Sequence, residues 1–343
     1  MDRMIKHMAV IGVLVVLSGL IMGGRAALGA DASEEFFRGK TVDWIVALEA
    51  GSTTDLIART IAPFLAKELN VKIKIENRKT DEGINYLYNQ GTKDGLTLGI
   101  KDSDSIIGND IAKAPGVQYE TEKLNFIADV YPSTKIFLIS PKLPYKTLDA
   151  LKKAKGLRAG GTSAKGSLAV TCAVMIEVLG LDAKIITGFK GSKELTLATA
   201  RGEVDFMIPR DTTAMRNEKD GYAVSLLALG NKRSAVLPNV PTVPELGIKV
   251  SKEVATAYKF VTSGGLTVVL PPGVPEARVE HLRKVFQRLN NNLELQKAMA
   301  KMTGVWLPFV PGQDVQQEMA AIKADKALAT KLDALFKKYS VVR

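Results

Sequence analysis

Cysteine occurs once in 343 residues, at Cys172, and histidine twice, at His7 and His281. One cysteine excludes an intramolecular disulfide and a thiolate metal cluster. With no H-E-x-x-H spacing and a single histidine beyond the first 32 residues, a zinc site and a histidine-based catalytic triad are excluded as well. Aromatic residues make up 6% of the chain, and no basic run is interleaved with them, so the nucleic-acid motifs are missing despite a formal charge of +11. No phosphate-binding P-loop occurs, and no G-x-G-x-x-G follows a strand pattern. Past the N-terminal region, no apolar run is long enough for a membrane span, which needs ~20 residues.

The positive content begins with an export pattern. Arg3 and Lys6 precede an uncharged, mostly apolar stretch from Met8 to Met22, and small residues follow, with Ala30-Asp-Ala32 ahead of Ser33. This reads as a signal peptide over residues 1–32 of an exported, soluble protein, with a single-span membrane anchor as the alternative. No cysteine follows the apolar stretch, so a lipid-anchored processing site is missing. Removing residues 1–32 takes away three cationic and two acidic groups and leaves +10. The remaining basic residues are scattered among Asp and Glu, as on solvated helix faces.

From residue 42 onward, strand and helix patterns alternate, which predicts parallel or mixed sheets covered by helices on both faces. Val42 to Leu48 is an apolar, β-branched run. A tight Gly51-Ser-Thr-Thr-Asp55 segment follows, then a helical pattern carrying Ile57, Ile61, Phe64 and Leu65, with Pro63 expected to kink it. Strand patterns recur at Val71–Glu76, Leu96–Ile100, Phe126–Val130 and Lys135–Ser140. Lys101 to Ser105 reads as a polar loop in which Asp102 and Asp104 are solvated, with cation binding as the alternative. A second strand–turn–helix runs from Leu157–Gly161 through Thr162–Ser167 into a helix ending at Gly180, apolar nearly all round, so Cys172 reads as a core thiol. Lys259–Leu270 reads as extended. Pro275 opens an amphipathic helix that places His281 on its polar side, and one last helical stretch covers about Gln313–Tyr339. Two blocks of alternation predict two lobes, with hinges near Tyr131–Lys135 and Thr262–Gly265.

A strand that turns through small residues into a helix leaves free backbone N–H groups at a positive dipole end. Thr53, Thr54 or Asp55 either caps the first such helix or contacts a ligand; the local pattern allows both. Two such helix starts, one per lobe, could grip a carboxylate from both sides. No carboxylate pair stands out for acid–base work, so the chain reads as a binder and not an enzyme, with no cofactor and no metal.

In this order and spacing, Phe36-Phe-Arg-Gly-Lys-Thr-Val42, Gly51-Ser-Thr-Thr-Asp-Leu-Ile-Ala-Arg59, Ile75-Glu-Asn-Arg78 with Lys93-Asp-Gly-Leu-Thr-Leu98, Gly161-Thr-Ser-Ala-Lys-Gly-Ser167 and Pro238-Asn-Val-Pro-Thr-Val-Pro-Glu-Leu-Gly247 resemble the Bug-type periplasmic receptors of tripartite tricarboxylate transporters. The resemblance implies an α/β, two-lobed periplasmic binding protein fold (class II, Venus-flytrap) with a mixed sheet in each lobe. Lobe 1 is expected from residues 33–132 and 265–343, and lobe 2 from 133–264. It further implies a monomer that binds a small organic carboxylate and hands it to membrane transporter subunits, with no nucleic-acid partner. Carried over by position, the ligand contacts would be Ser52, Thr53, Thr54 and Asp55 from lobe 1, and Thr162, Ser163 and Ser167 from lobe 2, with the Phe189–Gly191 loop and Asp205 near the cleft. Lys165 and Lys190 are candidate counter-charges. The family's paired glycines become Gly51-Ser52 here. Its glycine-rich run after Glu-Asn-Arg becomes Lys79-Thr-Asp-Glu-Gly83, so Asp81 and Glu82 either cap a helix or meet a cationic part of the ligand. The alternative function is a sensor-coupled receptor for a carboxylate or zwitterion, or an exported enzyme using Asp55 or Asp205 as base.

Overall fold

In the computed structural model, which describes residues 32–161, 166–189 and 191–341, two six-stranded sheets each carry parallel and antiparallel pairs. The first is built from β1 (Thr41–Val46), β2 (Lys72–Asn77), β3 (Thr97–Asp102), β4 (Asn125–Pro132), β10 (Gly265–Leu270) and β11 (Val310–Pro311), in the order β11-β4-β10-β3-β1-β2. The second holds β5 (Ile136–Ile139), β6 (Leu157–Gly160), β7 (Ala183–Ile186), β8 (Phe206–Met207), β9 (Val224–Ala228) and β12 (Ser340–Val341), in the order β12-β7-β6-β8-β5-β9. In the first sheet β1 runs parallel to β2 and β3, while β10 is antiparallel to β3 and β4. In the second, β6 runs parallel to β7 and β8, and β5 is antiparallel to β8 and β9. This is the α/β, two-lobed fold with a mixed sheet in each lobe.

The helices follow local chemistry. In α1 (Thr53–Leu69), Ser52 caps the start by accepting from the Asp55 N–H at 3.3 Å, and Asn70 closes the end in the left-handed conformation. Pro63 sits inside this helix without ending it. Thr147 caps α4 (Leu148–Lys153), and left-handed Gly180 stops α5 (Ser167–Leu179). Two further helices matter below: α2 (Thr80–Gln90) and α3 (Ser103–Ile111).

Each sheet has its own core. Trp44 meets Phe286 edge-on at 6.5 Å in the first, and Phe137 stacks on Phe206 at 4.7 Å in the second, where Cys172 is fully buried. A third cluster spans both lobes. It joins Ile106 and Ile107 of α3 with Val174 of α5 and with Phe260 and Val261 of the C-terminal part of the chain.

Several expectations need correction. Lys101–Ser105 is no loop: it is the end of β3 and the start of α3. Lys259–Leu270 is not continuously extended, because Ala255–Thr262 is helical before β10 begins. The last helical stretch is two helices, Gly312–Lys323 and Leu328–Tyr339, and the chain between them crosses to the second sheet, where Ser340 and Val341 pair with Ile185 and Ile186. The tail of the segment assigned to lobe 1 therefore packs on lobe 2. His281 is buried, not solvent-facing. It stacks on Phe37 at 5.5 Å, and burial, followed by the charge of Arg288, holds its pKa below the ordinary histidine value.

Candidate functional site between the lobes

In open α/β sheets, ligand-binding groups gather beyond the carboxyl ends of parallel strands. The register places the Gly51–Asp55 turn and the Asp102–Asp104 segment at the same edge of the first sheet, since β1 and β3 run parallel with Val46 opposite Ile100. In the second sheet, Gly161, which follows β6, and Ile208–Arg210, which follow β8, share one edge. Lys135 joins them there through an isolated bridge to Arg210.

Side chains tie these two edges together. Asp104, 6% exposed at the start of α3, accepts from Lys135 Nζ at 3.2 Å and from Ser167 Oγ at 3.1 Å. Lys135 also reaches Ser167 Oγ and Thr171 Oγ1, each at 3.2 Å. Arg210 pairs with Asp102 and lies 3.8 Å from Asp104 Oδ1, an oxygen with no hydrogen-bond partner among the described residues. The N-termini of α3 and α5, one from each lobe, thus meet around a carboxylate. That carboxylate belongs to the protein itself.

Electrostatics follow from burial and charge balance. Burial works to raise the Asp104 pKa, but Lys135 and Arg210 outweigh it and hold the group below the usual carboxylate range. Asp102 goes the other way: burial raises it and the neighbouring Asp104 charge adds to that, against Arg210. Burial depresses Lys135, which Asp104 partly restores. Nearby on β4, burial pushes Asp129 up to about 7, against the Tyr131 N–H that its Oδ1 accepts at 3.0 Å.

Of the residues read from the sequence, Ser167 lies in this cluster. Thr162, Ser163, Lys165 and Lys190 lie outside the described residues. Ser52 is the cap of α1, and Thr53 is exposed at its start. Asp55 is buried, and its oxygens are engaged by the fold: Oδ2 accepts from Gly51 N–H at 2.8 Å, and Oδ1 from Arg59 Nε at 2.9 Å and Asn77 Nδ2 at 3.0 Å. Gly51 adopts φ +79°, so the turn needs a residue tolerant of the left-handed region. Thr54 is buried beside Asp55.

Asp205 is displaced from the cleft. It precedes β8, and its carboxylate is clamped by Arg158 through Nε at 3.1 Å and Nη2 at 2.9 Å and by the Arg158 N–H at 2.8 Å. Arg158 and Asp205 sit at the amino-terminal ends of parallel strands, the edge opposite Gly161. Asp81 is engaged within lobe 1, accepting from Lys101 Nζ at 2.7 Å and Asn109 Nδ2 at 2.8 Å. Glu82 is exposed, and Gly83 packs so closely on Ala47 that a Cβ there would stand 2.7 Å from the Ala47 Cβ. The sequence reading missed Lys135 and Arg210 and took Asp102 and Asp104 for solvated. The alternating charges of Asp102 and Asp104 right after a buried strand were the available signal.

Beside the cluster, a cavity of about 290 Å³ opens between α3, α5, Ala255–Thr262 and Leu328–Tyr339, with Asp104, Lys135, Ser167 and Thr171 among its polar lining.

The profile of the "tripartite tricarboxylate transporter family receptor" matches residues 57–332. The chain belongs to this family. Among curated relatives, Protein BugT of Bordetella pertussis is 25% identical over 278 residues, covering 79% of this chain and 80% of that protein. A UPF0065 protein of Cupriavidus necator is 25% identical over 323 residues, covering 90% and 92%. Among solved structures, a ligand-free TctC solute-binding protein from Polaromonas superposes with a TM-score of 0.71 at 18% identity, covering 87% of this chain and 98% of that one. MatC of Rhodopseudomonas palustris with bound malate gives 0.60 at 20% identity, covering 87% and 99%. Another R. palustris protein, with adipate, gives 0.64 at 19% identity, covering 88% and 99%. At these identities the structures establish the fold; the family match establishes a periplasmic solute-binding receptor. The enzyme alternative falls away with it: Asp55 is engaged by its own turn, and Asp205 is clamped on the far edge.

Proposed function

We propose that this receptor captures a small organic carboxylate between the facing edges of its two sheets and delivers it to the membrane subunits of a tripartite tricarboxylate-type transporter. It would do so as a periplasmic monomer after loss of residues 1–32. The observation that carries the reading is the meeting of the α3 and α5 N-termini around the Asp104 carboxylate, with Lys135 and Ser167 contributed from the second lobe. Helix N-termini offer free N–H groups and a positive dipole end, so the same edge suits a ligand carboxylate. The malate and adipate bound by structural neighbours agree with this ligand class. Among the described residues no helix is long and apolar enough to cross a membrane, in keeping with capture by a receptor separate from the membrane subunits.

A thermal-shift screen of residues 33–343 against mono-, di- and tricarboxylates tests the reading. A ligand at 100 times its Kd adds about 2.7 kcal/mol of stability, a shift of several degrees. Stabilisation confined to carboxylates supports the proposal. A response only to cationic or uncharged solutes, or to none, contradicts it.

A further inference from the structure

Resting on the carboxylate reading above, we propose that the cavity beside the ion cluster is the ligand's apolar subsite, and that the preferred ligand is a monocarboxylate with an apolar aliphatic or aromatic body. Three observations carry this. The first is wall chemistry. Away from its polar end the cavity is faced by Ile111, Val170, Phe260, Val261, Leu332 and Phe336, which come from both lobes. A second carboxylate placed among them would be desolvated without a partner, and burying an unpaired charge is strongly unfavourable.

The second observation is charge balance. At the polar end Lys135 is already matched by Asp104, and Arg210 behind it by Asp102. Asp333, also on the wall, pairs with Lys337 at 2.7 Å. Among the described residues lining the cavity, no cation is left over to neutralise a second or third carboxylate. One carboxylate can be met at the start of α5, where the helix begins at Gly166 without a side-chain cap and its first-turn N–H groups have no partner within the helix; the Ser167 hydroxyl is already given to Asp104. The third observation is size: about 290 Å³ is the room of roughly ten water-sized groups, enough for one head group and a short chain or ring.

The test is a calorimetric titration of residues 33–343 with straight-chain monocarboxylates from propionate to octanoate, with benzoate, and with malate, adipate and citrate. Affinity is expected to rise about fourfold per added methylene until the cavity is filled, and to exceed that for the three polyacids. Two filling variants on different elements, Ala329→Trp in Leu328–Tyr339 and Ala112→Trp at the end of α3, keep the test independent of one variant's folding. Each is expected to lower octanoate affinity at least tenfold while changing propionate affinity much less. Polyacids binding tighter than every monocarboxylate, a flat chain-length series, or filling variants without effect would each overturn the subsite while leaving the carboxylate receptor in place. Binding of no carboxylate at all would overturn both.

Discussion

Asp129 shows how one buried side chain can set a pH dependence. Its residue pairs with Thr267 of β10 and its carboxyl reaches to Gly265, where a Cβ would stand 2.0 Å from Oδ2, so a larger residue at Gly265 would displace the carboxyl. Burial pushes its pKa up to about 7, against an ordinary value of 3.8, with Asp102 and Glu318 adding and Arg210 opposing. Between those two values the native state binds more protons than the unfolded chain, so this group's contribution to stability falls as pH rises from about 4 to 7 and stays low above. Asp129→Asn keeps an acceptor for the Tyr131 N–H and removes the charge. The variant is expected to be more stable than the parent at pH 8, with the difference shrinking to near zero by pH 4, as read by urea denaturation across pH. A variant less stable than the parent at pH 8 would contradict this. His281 carries the related lesson about reading residues singly. The helix after Pro275 was visible in its periodicity, but the stacking of His281 on Phe37 depends on a residue 244 positions earlier in the chain.

At the scale of elements, the sequence displayed most strands and the long helices, because apolar periodicity and ends such as Thr147 and Gly180 are local signals; the cap of α1 was expected at Thr53, Thr54 or Asp55 and is Ser52. The sequence hid α3. Ser103 to Ile111 follows β3 with no intervening loop residues, and its first turn is polar because that turn is needed at the interlobe contact. Asp211–Lys219 was hidden too, since it is a short, strongly polar helix. The residues contributed across lobes, Lys135 and Arg210, could not be read from local pattern; their role comes from tertiary pairing. The Asp104–Lys135 pair should behave as a coupled unit, with both partners buried. Asp104→Asn alone is expected to cost about 3–5 kcal/mol by leaving Lys135 buried without its counter-charge. In the Lys135→Met background the same change should cost about 1–3 kcal/mol less. A double-mutant cycle by chemical denaturation measures this coupling, and additivity within about 0.5 kcal/mol would show that the pair does not join the lobes energetically.

At the scale of the whole molecule, the chain passes between the sheets at Pro132–Ile136, at Thr262–Gly265 and again between Lys323 and Leu328. The first two crossings coincide with the hinge segments suggested by the sequence. The third brings Leu328–Tyr339 onto α5 and builds one wall of the cavity. The family-level order of motifs was enough to anticipate two lobes. It did not reveal that the cleft floor is internally neutralised, because that depends on which charges the fold brings together. Binding of ligand between the facing carboxyl edges of the two sheets is tested by amide hydrogen exchange with and without the carboxylate that gives the largest thermal shift. Slowed exchange is expected in both lobes, at the starts of α3 and α5 and in the Gly51–Asp55 turn. Protection confined to one lobe, or lying away from these edges, would contradict it.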